Sequence, residues 1–534
     1  MVVPELRGWQ AARPRLAGLA RAVRPRLVRA VRTAEPLVAR LTRFRRTAGS
    51  RPVGPKNWQY AAGAATAGLV LAVGAVTAAG PWDSTGQRTA ERDRATALEH
   101  AGGADHGRRG DTSGTSDAAA GGARPAPSAA PVLTGLGLSG GTITPASGGP
   151  SFTEVLDPLL RNTALGTRHS AAVVDVATGR RLYGQGADDA LTPASTTKIA
   201  TAVAALSALG ADHRLTTRAA LEPGTGELVL VGGGDPTLTA RKDAQGWASL
   251  RTLADHTAAA LAKRGISKVT LSYDTTLYAG PDLHPIGVND NLAPVSALMT
   301  DEGRTDDSTS GPAPRVADPA AEAARSFAGF LAGHGIRTTA PGPSKATDRA
   351  ETLATVSSPP LSGLVERMLT NSDNDIAEAL ARQTAAATGG RADFDGGAAA
   401  IAEQLRKLRL PLTGASFHDG SGLNRADKLT ADLLTALLRK AGDPAHPELR
   451  AVLTGLPVAG FTGTLTSRYA DGAAGFVHAK TGTLTGVNAL AGTVVDRDGR
   501  LLVFAFLAEN TTDPVTAQSA LDGTATTLAR CGCG

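Results

Sequence analysis

Three short stretches of this 534-residue chain carry side chains that could do chemistry together. Ser195-Thr196-Thr197-Lys198 sets a hydroxyl and an amine at i and i+3, which on a helix share one face and come within reach of each other. A serine alone is a poor nucleophile at neutral pH, and a neighbouring amine held neutral can take its proton. The positive end of a helix and burial both lower an amine's affinity for protons. Ser372-Asp373-Asn374 adds a second hydroxyl, able to relay a proton to a leaving amine. Its asparagine offers both an amide donor and an acceptor to a peptide-like substrate. Taken alone, that stretch reads as a polar turn or a helix cap rather than as a site. Lys480-Thr481-Gly482, followed by Thr483, presents a cation and two hydroxyls suited to a carboxylate. Gly482 there would let a ligand's backbone approach closely. Each of the three motifs occurs once.

The flanking sequence assigns each motif to an element. FTEVLDPLLRN (152–162) is a short amphipathic helix, and HSAAVVDVATGRRLYGQG (169–186) is two strands turning at Ala177-Thr178-Gly179. Thr192-Pro193 then opens a long helical run, ASTTKIATAVAALSALG, ended by Gly210. Strands ELVLVGG (227–233) and KVTLSYD (268–274) alternate with the helix LRTLADHTAAALAKRG (250–265). Residues 363–385 read as helical, with further helical runs to about 440. NALAGTVVDRDGRLLVFAFLAEN (488–510) is two strands about Asp496-Arg497-Asp498-Gly499. Strands at both ends with helices between predict one sheet built from both termini of the domain. Ser195 and Lys198 then sit at a helix start, Ser372 in a loop before a helix, and Lys480 at a strand edge. Asp373 and His478 are read as structural, and Ser421 as a glycine-flanked turn.

The net charge of +6 averages two unlike parts. Residues 1–56 hold fourteen Lys/Arg against Glu5 and Glu35, a net of +12, so the rest of the chain is −6 and nucleic-acid binding is not expected. Between Asn57 and Trp82 there is no charged side chain, and about 20 apolar residues span a bilayer's hydrocarbon core. Residues 57–82 are therefore expected to form a transmembrane helix, flanked by Trp58, Tyr60 and Trp82, with the basic arm cytoplasmic and the remainder outside. Residues 83–150, rich in Gly, Ala, Ser, Thr and Pro, are expected to be a flexible linker. Gly135, Gly137 and Gly140 fit G-x-G-x-x-G there by chance, without the flanking strand and helix that a dinucleotide site needs. The two cysteines, Cys531 and Cys533, exclude a disulfide framework and a Cys-ligated zinc site. No linear metal-ligand cluster or phosphate loop occurs, so neither metal nor cofactor is expected.

In their order and contexts the three motifs resemble those of the active-site-serine penicillin-binding proteins and class A β-lactamases. The surrounding runs DDALTPASTTKIATAVAAL, GGGDPTL, NLAPVSAL, SPPLSGLVERMLTNSDNDIAEAL, DGSGLNR and KTGTLTGVNALAG are similar to the PBP4-type (peptidase S13) D-alanyl-D-alanine carboxypeptidase/endopeptidases, from about residue 152 to 530. The resemblance implies an α/β (α+β) transpeptidase-like domain, an antiparallel sheet flanked by helices, at 151–213 and 349–534. The separation of 177 positions from Ser195 to Ser372 implies a smaller inserted α/β domain at 214–348. The same resemblance makes Ser195 the acylated nucleophile, Lys198 its base, and Ser372 the proton relay helped by Lys480. Asn374 would hold the substrate amide, Thr481 and Thr483 the terminal carboxylate, and the Ser195 and Thr483 N–H groups the oxyanion. The implied partners are peptidoglycan stem peptides, β-lactams as inhibitors, and the cytoplasmic membrane. A β-lactamase or esterase on the same scaffold, or a β-lactam sensor acylated once, remain alternatives to the carboxypeptidase.

Overall fold

The computed structural model describes residues 149–469 and 472–533. The expected basic arm, the apolar span at 57–82, the glycine triplet at 135–140 and the linker up to 148 lie outside the described residues. From the N-terminal side come α1 (Phe152–Leu160), the hairpin β1 (Arg168–Asp175) and β2 (Arg181–Gln185), and α2 (Thr197–Leu209). Next are β3 (Thr216–Leu221), β4 (Glu227–Val231), α3 (Leu250–Lys263), β5 (Lys268–Asp274) and α4 (Pro319–Gly333). The short strands β6 (Arg337–Thr338) and β7 (Gly342–Pro343) precede β8 (Glu351–Ser357). Five helices follow: α5 (Leu361–Asn371), α6 (Asn374–Ala387), α7 (Phe394–Lys407), α8 (Ala431–Ala441) and α9 (Ala451–Thr454). The chain closes with β9 (Val477–Leu484), β10 (Val487–Val495), β11 (Leu501–Glu509) and α10 (Pro514–Arg530). Side chains that out-compete solvent for the first free N–H groups start many of these helices: Ser151, Ser249, Asp318, Thr430 and Asp513 each accept one.

One sheet runs β2-β1-β11-β10-β9 with every neighbouring pair antiparallel, so strands from both ends of the domain do share it. The two-residue period of the strands divides their side chains between two cores. Ala171, Val173, Phe504 and Phe506 pack with α1 and α10, while Ala172, Val503, Ala505 and Leu507 pack with α2 and α8. Residues 197–206 of α2 are all buried, which suits a helix apolar on every side and enclosed by other helices. A second sheet, β6-β5-β4-β3-β8, is made wholly from residues 216–357. In it β3 is antiparallel to β4 and β8, while β4 and β5 are parallel and linked through α3. Helices α3 and α4 cover it around Leu253, Leu261, Phe327 and Leu331. Among the described residues no helix is long and apolar enough to cross a membrane.

Two helical expectations are corrected. The run from Ala194 does not begin as α-helix: Ala194–Thr196 form a 3-10 turn, and α-helix starts at Thr197. Residues 363–385 are not continuous either. Ser372 takes a left-handed conformation (φ 60°, ψ 39°) that ends α5, and the Asp373 carboxylate accepts the Ile376 N–H to start α6. Serine and aspartate satisfy backbone groups at such a break better than in a helix interior. Cys531 and Cys533 are joined to each other, a local closure rather than a framework.

The end of β11 holds the segment that leads into α2. The Glu509 carboxylate accepts the Thr192 N–H at 2.7 Å and pairs with Lys428 at 2.9 Å and Arg168 at 2.7 Å. Burial works against its charge, but the hydrogen bonds from Thr192 and Lys428 prevail and bring its pKa from 4.5 down to about 2. A carboxylate depressed in the folded state adds stability above its unfolded value, lost as pH falls from about 4.5 through about 2. Glu509→Gln is therefore expected to lower the melting temperature at neutral pH and to flatten its decline across that window, measured by thermal unfolding against pH. An unchanged slope would remove Glu509 from this role.

Candidate active site

The turn carrying Ser195 depends on close approach of backbone. Ala194 has φ 47°, a region that non-glycine residues seldom occupy. Two glycines make room for it: a Cβ on Gly422 would overlap the Ala194 carbonyl, and one on Gly482 would lie 2.6 Å from the Pro193 oxygen. The space beside Gly482, expected to admit a ligand's backbone, is filled by the protein's own 193–194 segment. The Thr196 hydroxyl donates to the Pro193 carbonyl at 2.7 Å and braces the turn.

One turn further, Lys198 is wholly buried and its Nζ has three neighbours: Ser195 Oγ at 3.1 Å, Asn374 Oδ1 at 2.6 Å and the Ser421 carbonyl at 2.7 Å. A protonated amine donates to all three. A neutral amine has two hydrogens and a lone pair, and two of its neighbours are oxygens that can only accept. The lone pair is then left facing Ser195, the one neighbour with a proton to give. Burial pushes the Lys198 pKa down to about 8, against an upward pull from the buried Asp419, Glu378, Asp373 and Asp375 carboxylates.

The break between α5 and α6 delivers Ser372 and Asn374. Asn374 bonds Lys198 through its oxygen and donates through Nδ2 to the Asn291 carbonyl at 2.9 Å, leaving one amide hydrogen for a ligand. Asp373 serves the fold, as its structural reading requires: besides capping α6 it joins Glu302 and Asp375 in a buried carboxylate group. Burial and the neighbouring Glu302 carboxylate hold the Asp373 pKa well above the usual value.

On β9, Lys480 is also wholly buried; its amine donates to the Thr481 carbonyl at 2.8 Å. Burial, then the nearby Lys198 and Arg468 charges, hold its pKa well below an ordinary lysine's. Thr481 and Thr483 sit on the free edge of the sheet, with Thr481 Oγ1 donating to Thr464 Oγ1 at 3.1 Å and Thr483 Oγ1 accepting from Gln518 at 3.3 Å. Ser195, Ser372, Asn374, Thr481 and Thr483 line one open cleft of 290 Å³, and the Lys198 and Lys480 amines lie behind its wall. All three motifs therefore meet at one place. His478 has no part in the cleft.

Sequence reasoning missed the supports behind Lys198. Ser421 does lie in a turn, but its carbonyl is one of the three lysine partners. Glu378 accepts the Gly420 and Ser421 N–H groups, and Asp419 accepts those of Gly422 and Asn424 while bonding His284 at 3.0 Å. The glycines at 420 and 422, within the DGSGLNR run, were the local signal. His284, Glu378 and Asp419 bring possible metal-ligand atoms within 4.8 Å of one another, as do Glu302, Asp373 and Asp375. In the first group backbone N–H groups already occupy the carboxylates. In the second, Arg304 and Arg367 pair with Glu302 and Arg315 pairs with Asp375, so the charge is met by guanidinium groups.

Comparison with known proteins places the chain in a family and a fold. The D-Ala-D-Ala carboxypeptidase 3 (S13) family matches residues 152–314 and 306–528. Carboxypeptidase DacB of Mycolicibacterium smegmatis is 38% identical over 385 residues, covering 68% of this chain and 80% of that protein. A carboxypeptidase of Mycobacterium tuberculosis is 35% identical over 407 residues, covering 73% of this chain and 86% of that protein. The crystal structure of penicillin binding protein 4 from Haemophilus influenzae has a similar fold, with a TM-score of 0.58 at 21% identity over 70% of this chain and 98% of that one. With the matched segments taking in both sheets and every residue of the cleft, the chain belongs to the D-Ala-D-Ala carboxypeptidase 3 (S13) family.

Proposed function

We propose that this protein is a membrane-anchored serine-type D-Ala-D-Ala carboxypeptidase that trims peptidoglycan stem peptides through an acyl-enzyme on Ser195 and is blocked by penicillin. The observation that carries the reading is Lys198 Nζ at 3.1 Å from Ser195 Oγ, with its other two partners able only to accept. Neutral Lys198 removes the Ser195 proton as Oγ attacks the carbonyl carbon of the penultimate D-alanine. The oxyanion is met by the Ser195 and Thr483 N–H groups; such a donor contributes about 3 kcal/mol. The bond to the leaving nitrogen breaks as the proton passes from Lys198 through the Ser372 hydroxyl, helped by Lys480, and free D-alanine departs. Water, losing its proton to the same lysine, then hydrolyses the ester. Asn374 keeps one amide hydrogen for the substrate, while Thr481 and Thr483 take its terminal carboxylate. The same acyl transfer applied to a cross-link would make the enzyme an endopeptidase.

The proposed organisation has a cytoplasmic arm at 1–56, a membrane helix at 57–82 and a linker to 150. A catalytic domain then carries an insertion; the expected boundary at 348/349 moves to about 357, because β8 (Glu351–Ser357) pairs with β3 in the second sheet. The charge-free stretch at 57–82 and the basic lead support the anchoring, and the confinement of the second sheet to 216–357 supports the insertion. The Cys531–Cys533 bond fits an oxidising exterior.

Ser195→Ala is expected to lose D-alanine release from a diacyl D-Ala-D-Ala peptide, and covalent labelling by fluorescent penicillin, by at least roughly a thousandfold. Persisting label at wild-type level would refute the nucleophile. Because the base must be neutral, the acylation rate constant is expected to rise with pH and level off near the Lys198 pKa of about 8. A flat profile between about pH 6 and 9 would point to another base. Gly482→Ala pushes a methyl against the Pro193 oxygen and should displace Ser195, slowing acylation by roughly a hundredfold. Stopped-flow penicillin acylation gives the comparison, and an unimpaired variant would show that the turn has room to yield.

A further inference from the structure

The reactive amine is aimed by a peptide group as well as by a side chain, and that peptide group is itself held from α6. Asn374 and Glu378 stand at i and i+4 on this helix and so share one face. The first accepts one Lys198 hydrogen directly. The second, 1% exposed, accepts the Ser421 N–H at 2.8 Å through Oε1 and the Gly420 N–H through both oxygens, at 3.1 Å to Oε1 and 3.2 Å to Oε2. Thr201, one turn beyond Lys198 on α2, donates to the Gly420 carbonyl at 2.6 Å. Asp419 accepts the Gly422 N–H at 2.6 Å and is itself held by His284. With its neighbouring peptides fixed on both sides, the 419–422 loop can present the Ser421 carbonyl to Lys198 in one direction only.

We propose that Glu378 is a positioning residue for acylation: by clamping the Gly420 and Ser421 N–H groups it fixes the carbonyl that occupies one Lys198 hydrogen, and so turns the amine's lone pair onto Ser195. This rests on the acyl-enzyme reading above. A loose Ser421 carbonyl would free the amine to rotate about its Cε–Nζ bond and spend its lone pair elsewhere. The clamp is a matter of place; because the Glu378 charge also raises the Lys198 proton affinity, the variants are compared at a pH above the Lys198 pKa of about 8. The Glu378→Gln change would keep Oε1 for both N–H groups, whereas Glu378→Asp keeps the charge but draws the acceptor back by about 1.5 Å.

The test compares Glu378→Gln and Glu378→Asp in the full chain, with penicillin acylation rates, kcat and KM on a D-Ala-D-Ala peptide, and melting temperature. The glutamine variant is expected to acylate within about threefold of wild type, and the aspartate variant to fall at least about tenfold in acylation and kcat with KM nearly unchanged. Thr201→Val, which removes the other brace without changing shape, should slow acylation in the same direction by a smaller factor. An aspartate variant as fast as wild type, or a glutamine variant as slow as the aspartate one, overturns the clamp. If wild type itself takes no penicillin label, the acyl-enzyme reading fails and this inference with it. If wild type is labelled and the aspartate variant labels equally fast, only the clamp fails.

Discussion

The site is organised around the burial of one amine. Taking an ammonium out of water is costly unless hydrogen bonds replace its hydration, and the residual penalty appears as a lowered proton affinity. Lys198 is wholly buried yet has three oxygen partners, so its proton is neither firmly held nor unsupported. The carboxylates of Asp419 and Glu378 lie one layer deeper and pull the other way, which keeps the amine near the middle of the useful range instead of at an extreme. A second buried amine, Lys480, stands close enough that the Lys198 charge, added to its own burial, disfavours its protonation.

That burial is possible because α2 is enclosed on every side. The sheet face beneath it is lined by small residues, Ala172, Ala489, Ala491 and Ala505, which let the helix lie close. Helices α5 to α8 close the other sides. The nucleophile is displaced from the helix proper by the 3-10 turn at 194–196, so its hydroxyl meets the cleft while Lys198 stays inside. Gly422 and Gly482 are needed where the turn passes between the 419–422 loop and β9, since any side chain there would collide with it. A strained Ala194 held by packing from two sides is the kind of geometry that the surrounding fold must over-determine.

The acidic groups around the cleft are of two kinds. Glu378 and Asp419 receive backbone N–H groups and so shape a loop. Glu302, Asp373 and Asp375 face Arg304, Arg315 and Arg367, and this network ties the 302–315 segment to the start of α6. The left-handed Ser372 is thus set between a capped helix start and an ion-pair network, so its hydroxyl has a defined place on the cleft wall.

Much of this was legible along the chain. The three motifs, both hairpins, α2 and its end at Gly210, and the sharing of one sheet by the two ends all follow from residue type and period, because each is a local preference or a face of a regular element. Ser195 and Lys198 three residues apart were bound to meet on any helical turn. The supports were hidden for the opposite reason. His284, Glu378 and Asp419 are far apart in the chain, and a backbone carbonyl such as that of Ser421 has no sequence signature at all. Gly482 announced a close approach but not which backbone would make it. The break at Ser372 was legible in Ser372-Asp373-Asn374 as a turn or cap, although the helix-favouring residues on both sides also read as one helical run; the left-handed Ser372 and the Asp373 cap decided for the break. Sequence set which groups could react; the tertiary structure decided which way the proton acceptor faces, since direction depends on oxygens that the chain brings together only on folding.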